Sequence, residues 1–301
     1  MTASIPHITV CICTFKRPVL LKRLLDALAC LKSDGAFTFS VVVADNDSER
    51  SAEPVVRDFS TASAFQVTYC SEPRQNIAMA RNKTLEHSEG DYIAFIDDDE
   101  YPGAEWLLKL LDASRQHGAD GVLGPVRPHF EEAPPRWAVR GGFFERPRHA
   151  TGYRIIDLKE ARTGNLLFSR RIIEGVVPVF QEQFGTGGED VDFFRRMMGQ
   201  GRVFIWCDEA PVFESVPPSR CNRRYLLRRG LLRGRSNFNN PKVRVRKLAI
   251  SALAIPLYAL ALPVCLLLGQ HVFLRYMIKL YDHAGRFLTM FGLNPVKDRD
   301  M

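Results

Sequence analysis

No two of the seven cysteines, at positions 11, 13, 30, 70, 207, 221 and 265, form a C-x-x-C pair. An odd, scattered set of this kind fits neither a disulfide framework nor a zinc knuckle, so a reducing compartment is expected. Cys11 and Cys13 alternate on a predicted strand and share one face, as packing residues rather than reactive thiols. Residues 1 to 10 lack a basic stretch followed by an apolar core, and no secretory signal is expected. The chain also lacks internal repeats and low-complexity tracts. A hydrophobic share of 46% over 301 residues excludes a disordered chain and leaves room for one large domain or a domain with an appendage.

Acid is scarce towards the carboxyl end. Of 41 Lys+Arg and 34 Asp+Glu in the chain, the part from Arg220 onward holds 16 and 3, so residues before it sum to −6 and those after it to +13. Such a split suits an anionic partner for the tail, either nucleic acid or a membrane surface. Arg220 to Lys247 holds 11 Lys+Arg and no acid, and Leu248 to Gly269 then runs 22 residues without a charge. As a helix that run is about 33 Å long, against about 30 Å of bilayer hydrocarbon. Pro256 and Pro263 inside it leave a kinked span, a re-entrant hairpin and a helix buried in a partner all open. Beyond it, Leu274, Met277, Ile278, Tyr281, Leu288 and Phe291 share a helical face opposite Arg275, Lys279, Asp282 and Arg286. That is the pattern of a helix lying in a membrane interface, or of an ordinary packing helix. Arg residues beside Tyr225 could grip nucleic acid. The adjoining apolar run favours membrane lipids instead, and no nucleic-acid partner is expected.

The rest of the sequence alternates strands and helices. Ile8 to Thr14 is an apolar run, after which Pro18 stands first in a helix with apolar residues at 20, 21, 24, 25, 28 and 31. Phe39 to Ala44 reads as a second strand leading into Asp45-Asn46-Asp47-Ser48. Phe65 to Tyr69 reads as a third strand, Ile77 to Glu86 as a helix and Tyr92 to Ile96 as a fourth strand. The order predicts an α/β fold class with a mostly parallel sheet, right-handed crossovers and helices on both faces. Strand ends at 14, 45 and 97 would meet along one edge. After Gly121, prolines at 125, 128, 134, 135 and 147 and the pair Gly141-Gly142 break any period, which suggests long loops around a substrate. Thr163 to Phe168 resumes a strand. Gly185-Thr186-Gly187-Gly188 then leads to Glu189-Asp190 and a helix over Val191 to Met198.

Behind the fourth strand stands Asp97-Asp98-Asp99-Glu100, at the carboxyl end where open α/β sheets build ligand sites. Adjacent carboxylates repel one another, and a hard divalent cation with oxygen ligands offsets that repulsion. The alternative is an acidic turn capping a helix that Pro102 to Leu111 begins.

Thr14-Phe15-Lys16-Arg17, Asp45-Asn46-Asp47-Ser48, Asn76 with Ala80-Arg81-Asn82, Asp97-Asp98-Asp99 and Glu189-Asp190 stand in the order and spacing of the family 2 glycosyltransferases, which the chain resembles over residues 6 to 230. The resemblance implies a GT-A fold over residues 1–219. Its Rossmann-like nucleotide-sugar-binding half would cover 1–120 and its acceptor-binding half 121–219, with 220–301 as a membrane-associating region. It implies a UDP-sugar donor met at base and ribose by Thr14 and Asp45. Arg17, Asn76, Arg81, Asp97 and Asp98 would belong to the same nucleotide-sugar site, and Asp97 and Asp99 would hold a divalent metal, Mg or Mn. A carboxylate at Asp45 suits the uracil N–H as an acceptor. Arg81 suits the diphosphate as a charge-assisted donor, and Asn76 suits the shaping of the loop. Asn46 and Asp47 serve equally as turn residues and are left out of the site.

A diphosphate leaving group gathers negative charge, which a cation relieves as a Lewis acid. The acceptor hydroxyl must lose its proton as it attacks opposite the leaving group, so the anomeric configuration inverts. By the resemblance Asp190 is the base, and Glu189 orients the acceptor or the loop. Plain helix capping is the other reading of that pair. Processive members carry Gln/Arg-x-x-Arg-Trp, whereas Arg220-Cys221-Asn222-Arg223-Arg224-Tyr225 lacks the tryptophan and the spacing; one sugar per acceptor is therefore expected. Many relatives have a histidine near the end of the catalytic part that helps hold metal or phosphate; this chain offers Glu214 in Pro211-Val212-Phe213-Glu214 instead, and whether it takes that place is open. The basic run beside an apolar stretch resembles bacterial exopolysaccharide glycosyltransferases of the succinoglycan type. This implies a lipid-linked oligosaccharide acceptor on polyprenyl diphosphate, worked at the cytoplasmic face of the cell membrane. A catalytically decayed nucleotide-sugar-binding protein is the alternative, against which the acids at 97, 99 and 190 argue.

Overall fold

Only His7 and Cys13 escape full burial in the run His7–Thr14, which forms β1, the central strand of a computed structural model that describes residues 5–185, 187–236, 241–291 and 293. Thr186 of the expected glycine-rich turn lies outside the described residues. The following elements are α1 (Pro18–Leu28), β2 (Thr38–Asp45), α2 (Glu53–Ala62), β3 (Val67–Ser71), α3 (Ile77–Glu86), β4 (Tyr92–Ile96), β5 (Glu100–Pro102) and α4 (Trp106–His117). Then come β6 (Gly121–Leu123), β7 (Val126–Phe130), α5 (Arg136–Gly141), β8 (Asn165–Ser169), α6 (Glu189–Gly199), β9 (Phe204–Trp206), β10 (Val212–Val216), α7 (Arg223–Ser236), α8 (Pro241–Leu267) and α9 (Gln270–Met290).

The main sheet has seven strands in the order β3-β2-β1-β4-β8-β6-β9. β1 pairs in parallel with β2 and β4, and β2 with β3. The expected mostly parallel α/β sheet is therefore present. β8 alone runs against both neighbours, β4 and β6. The reason is topological: the chain leaves β6 and re-enters β8 at the same sheet edge, so no crossover is required. β2 and β3 lie to one side of β1 and β4 to the other. This reversal of strand order opens a crevice at the carboxyl ends of β1 and β4, the place where such sheets take ligands.

Alternate side chains of the strands feed two apolar layers. Ile8, Val10 and Ile12 pack with Leu21, Leu24, Leu25 and Leu28 of α1. Cys11, Ile93 and Phe95 pack with Phe168, Phe180 and Phe193 on the opposite face. Each such fully buried side chain contributes roughly 1.5–3 kcal/mol.

Two element boundaries differ from expectation. The helix expected from Pro102 begins at Trp106, and its N-cap residue Glu105 makes no side-chain cap bond. Residues 100–102 instead form β5, antiparallel to β10, with Glu100 opposite Glu214 and Tyr101 opposite Phe213; β7 completes this three-stranded sheet. The three aspartates therefore do not cap a helix. α2, which buries Val56 and packs Val55 and Phe59 partly buried against the same core, is a helix that the sequence reading does not contain.

The chain divides into two compact units, Met1–Pro128 with Arg146–Ser215, and His129–Glu145 with Val216–Met301. Residues 129–145, assigned from sequence to the 1–219 part, cluster with the second unit, which holds α5, α7, α8 and α9. Within it Val245–Leu267 of α8 is long and apolar enough to cross a membrane and is 11% buried. Pro256 and Pro263 leave α8 unbroken. α9 buries Leu274 and keeps Met277, Ile278 and Tyr281 half-buried. It packs closely on α7, because a Cβ on Gly234 would stand 2.0 Å from the carbonyl of Asp282 and one on Gly285 2.3 Å from that of Leu231. Most of the stripe expected to lie in a membrane interface is thus spent on helix packing, Phe291 alone of it being 66% exposed, and the longer open apolar side belongs to α8.

Candidate active site

β1 and β4 are in register with Cys11 beside Phe95, so Thr14, the last residue of β1, comes level with Asp98, two residues past the end of β4. Thr14 Oγ1 donates to Asp98 Oδ2 at 2.8 Å, and both residues are buried. Lys16 then takes φ of 54°, unusual for a residue with a side chain, as the chain turns. Arg17 follows and reaches Asp98 Oδ1 at 2.9 Å and Asp99 Oδ2 at 3.3 Å. Burial raises the Asp98 pKa against the pull of Arg17 and Thr14. Thr14, Arg17 and Asp98 were expected to meet the nucleotide. In the structure they brace one another, and the side chain of Thr14 is not turned outward.

Asp97 is the carboxylate that faces the crevice, with 52% of its side-chain surface open. Its other sides face Arg81, Glu100 and Gly164. Desolvation there, opposed by Arg81 and reinforced by Asp99 and Asp98, pushes its pKa up to about 6. Behind it Glu100 is buried, accepts from the Asp97 N–H at 3.3 Å, and has a pKa held well above the usual carboxylate range by burial and by Asp97. Gly164 leaves room for both acids, since a Cβ there would stand 3.0 Å from Asp97 Oδ2 and from Glu100 Oε1.

Arg81, on α3, donates to Glu189 Oε1, and its other terminal nitrogen lies 3.8 Å from Asp97 Oδ1. All but 9% of its side chain is covered, so its guanidinium is engaged by protein acids rather than held open for a diphosphate. Glu189 is buried, with Oε2 accepting no hydrogen bond among the described residues, so it points inward and not at an acceptor. Asp190, next along α6, is half-buried, and its Oδ1 accepts from the N–H of Val191 at 2.7 Å. Gly187 and Gly188, with φ of 123° and 100°, supply the left-handed backbone that turns the chain into α6.

The residues after β2 are also turned inward. Asp45 is fully buried and accepts from Ala52 N at 2.8 Å, Asp47 N at 3.1 Å and the Tyr69 hydroxyl at 3.3 Å, with its pKa raised by burial. Its carboxylate therefore shapes the turn and is not presented to a uracil N–H. Asn46 donates to the carbonyls of Glu72 and Arg74, both at 2.7 Å, and accepts from Asn76 N at 2.9 Å, in keeping with its reading as a turn residue. Asn76 caps α3 by accepting from Ala78 N and Met79 N, and it donates to Glu182 O at 2.9 Å. Its part is the shaping of the loop.

Two groups escaped the sequence reading. Arg146 pairs with Glu214, its charge lowers the pKa of both Asp97 and Glu100, and with Lys159, Arg162 and Trp206 it lines a cleft. Nothing in the aperiodic stretch around it could have marked it. Asn165, at the start of β8, accepts from Trp106 Nε1 at 2.8 Å and donates to the carbonyls of Ala210 and Pro125, which fixes the ends of three strands.

Among the described residues no cluster of three or more His, Cys, Asp or Glu is set to hold a metal. The donor chemistry at the crevice still fits a hard dication. Asp97 is open and crowded by like charge, and Mg or Mn is commonly bound by one or two carboxylates plus substrate oxygens. Asp99, the other expected ligand, is instead shared with Arg17.

A mostly parallel α/β sheet with an acidic cluster at its switch point, followed by a helix that opens on Glu-Asp, is an arrangement that comparison with known proteins places among the glycosyltransferases of the GT-A fold. S. aureus TarS 1-349 in complex with UDP aligns over 97% of this chain and 94% of that one with a TM-score of 0.55 at 18% identity. The mannosyltransferase PcManGT from Pyrobaculum calidifontis, in complex with GDP-Man and Mn2+, aligns over 97% and 76% with a TM-score of 0.56 at 16% identity. These likenesses show the fold. The model of Glycosyl transferase family 2 matches residues 9–174, and the chain belongs to that family. It is 36% identical over 233 residues to the succinoglycan biosynthesis protein ExoM of Rhizobium meliloti (strain 1021), covering 77% of this chain and 74% of that protein.

Proposed function

We propose that the protein transfers a single hexose from a UDP-sugar, with inversion, to a lipid-linked oligosaccharide during exopolysaccharide synthesis at the cytoplasmic face of the cell membrane. The observation that carries this reading is the link made by Arg81 between Asp97, on the crevice floor, and Glu189, at the start of α6. This link supports reading the open carboxylate of Asp97 and the start of α6, with Asp190, as two ends of one site. Asp190 takes the proton from the acceptor hydroxyl as that oxygen attacks the anomeric carbon. The hydrogen bond from Val191 N–H limits the rotation of its carboxylate. Asp97, with Asp99 beside it, would hold a divalent ion, which when bound relieves the charge on the departing diphosphate. Likeness to a succinoglycan biosynthesis protein supports the pathway class, and the solved neighbours with UDP or with GDP-Man and Mn2+ support a nucleotide-sugar donor and a metal. The long apolar stretch of α8 supports membrane attachment and membrane lipids as partners.

The decisive experiment is Asp190→Asn, assayed with a panel of nucleotide sugars, membrane lipid extract and divalent metal. Folding and UDP binding should survive while transfer is lost. Retained transfer would remove the base assignment, and transfer that persists in chelator would remove the metal.

A further inference from the structure

α8 has one side committed to α9 and another committed to nothing among the described residues. The two helices run antiparallel: Ser251 Oγ meets His283 Nδ1 at 2.9 Å, and one turn-pair further along the ring of Tyr258 meets that of Tyr276 at 5.7 Å. On the opposite side, exposed positions come in adjacent pairs, 252 with 253, 256 with 257 and 259 with 260. They form an apolar face wider than the narrow stripe of a helix pair. Leu253, Leu257, Leu260 and Val264 on it are 77%, 66%, 78% and 59% exposed.

The charges on the neighbouring helices decide how this face can meet lipid. Because α9 runs back along α8, its Arg275, Lys279, Asp282 and Arg286 stand beside the apolar stretch rather than beyond its ends. α7 runs parallel to α9, with Arg223 donating to Gln270 Oε1 at 2.8 Å and Arg233 to Asp282 Oδ1 at 3.1 Å, so its arginines lie at the same levels. Were α8 to cross a bilayer, these side chains would be carried into the hydrocarbon with Asp282 as the only acid among them, an arrangement that bilayers penalise heavily. Laid flat, α8 can immerse its open side while α9 and α7 stay at headgroup level. The charge balance is complementary to an anionic leaflet: Arg246 and Lys247 stand near the amino-terminal end of the stretch, and no acid occurs from Arg220 to Tyr281.

We propose that α8 docks in the plane of an anionic lipid leaflet, its open apolar face immersed, without crossing the membrane. This rests on the membrane attachment proposed above. A flat helix keeps one depth along its length, whereas a crossing helix changes depth by a full leaflet, and that difference is measurable. In the full chain carrying Cys30→Ser and Cys221→Ser, an environment-sensitive fluorophore is attached in turn at Leu253→Cys, Leu257→Cys and Val264→Cys. The protein is bound to phosphatidylcholine–phosphatidylglycerol vesicles containing lipids brominated at shallow or deep acyl positions. The expected result is flotation with the vesicles and, at all three positions, a larger loss of emission with shallow bromines than with deep ones. A depth gradient from 253 to 264, or stronger quenching by deep bromines at 257, would overturn in-plane docking while leaving attachment intact. Flotation without quenching at any position would give the face to another occupant and also overturn it. Failure to float would sink the membrane reading itself.

Discussion

The guanidinium of Arg81 holds the buried carboxylate of Glu189, 108 residues further along the chain, while its second terminal nitrogen stands 3.8 Å from Asp97. Removing one partner of a buried pair strands the other charge at a cost of about 3–5 kcal/mol. Arg81→Met should lose stability of that order in urea unfolding, and Glu189→Gln in the same chain should return part of it. A double-mutant cycle with no coupling energy would show that the two side chains do not act as a pair.

Thr14 spends its hydroxyl on a charged, buried acceptor. Thr14→Val should therefore cost about 1.5–3 kcal/mol, the range for a hydrogen bond to a charged group, while Thr14→Ser costs much less. Because the hydroxyl is turned towards Asp98, Thr14→Val, which removes it, should leave the UDP affinity of the folded protein unchanged by calorimetry. A large loss of affinity in the valine variant, with Thr14→Ser retaining it, would return Thr14 to the nucleotide.

Asp97 carries a pKa raised from 3.8 to about 6. A carboxyl whose folded value is raised favours folding while protonated, and that contribution is lost as pH climbs through the folded value. In chelator, Asp97→Asn should thus be more stable than the natural chain at pH 7.5, by about 1 kcal/mol once solvent screening of its open side is allowed for. The gain should vanish below about pH 4, near the unfolded carboxylate value. Added Mn2+ should raise the melting temperature of the natural chain and not that of the variant. Thermal melts across pH, with and without metal, read both effects; equal metal shifts in the two proteins would place the ion elsewhere.

Burial pushes the thiols of Cys11 and Cys70 up to about 12 and that of Cys207 up to about 11, whereas Cys30 is exposed. Since the thiolate is the reactive form, maleimide at pH 8 should label Cys30 rapidly and the three buried thiols only in denaturant. Peptide mass mapping shows which sites react. Early labelling of Cys11 would mean that β1 opens far more readily than its central place in the sheet allows.

The alternation of strands and helices up to residue 96 was legible, α2 excepted, because the central strands are nearly unbroken apolar runs and α1 keeps one apolar face. That pattern also brought Thr14, Asp45 and Asp97 to a common edge. The direction of their side chains was not legible. Asp45 is captured by the N–H of Ala52, seven residues on, and Thr14 by a carboxylate 84 residues away. No periodicity encodes such partners. Arg81 was read as a charge-assisted donor to the diphosphate; only the fold brings Glu189, 108 residues further on, to it. The reversal of β8 depends on which end the chain returns from, and the proline-broken stretch before it gives no sign of that.

Gly185 lies where a single added carbon would collide with the side chain of Asn76, at 2.1 Å from its Cγ, while its carbonyl accepts from the N–H of Ile77 at 3.3 Å. Any side chain at 185 would therefore have to displace that of Asn76, and with it the hydrogen bonds that hold the first turn of α3.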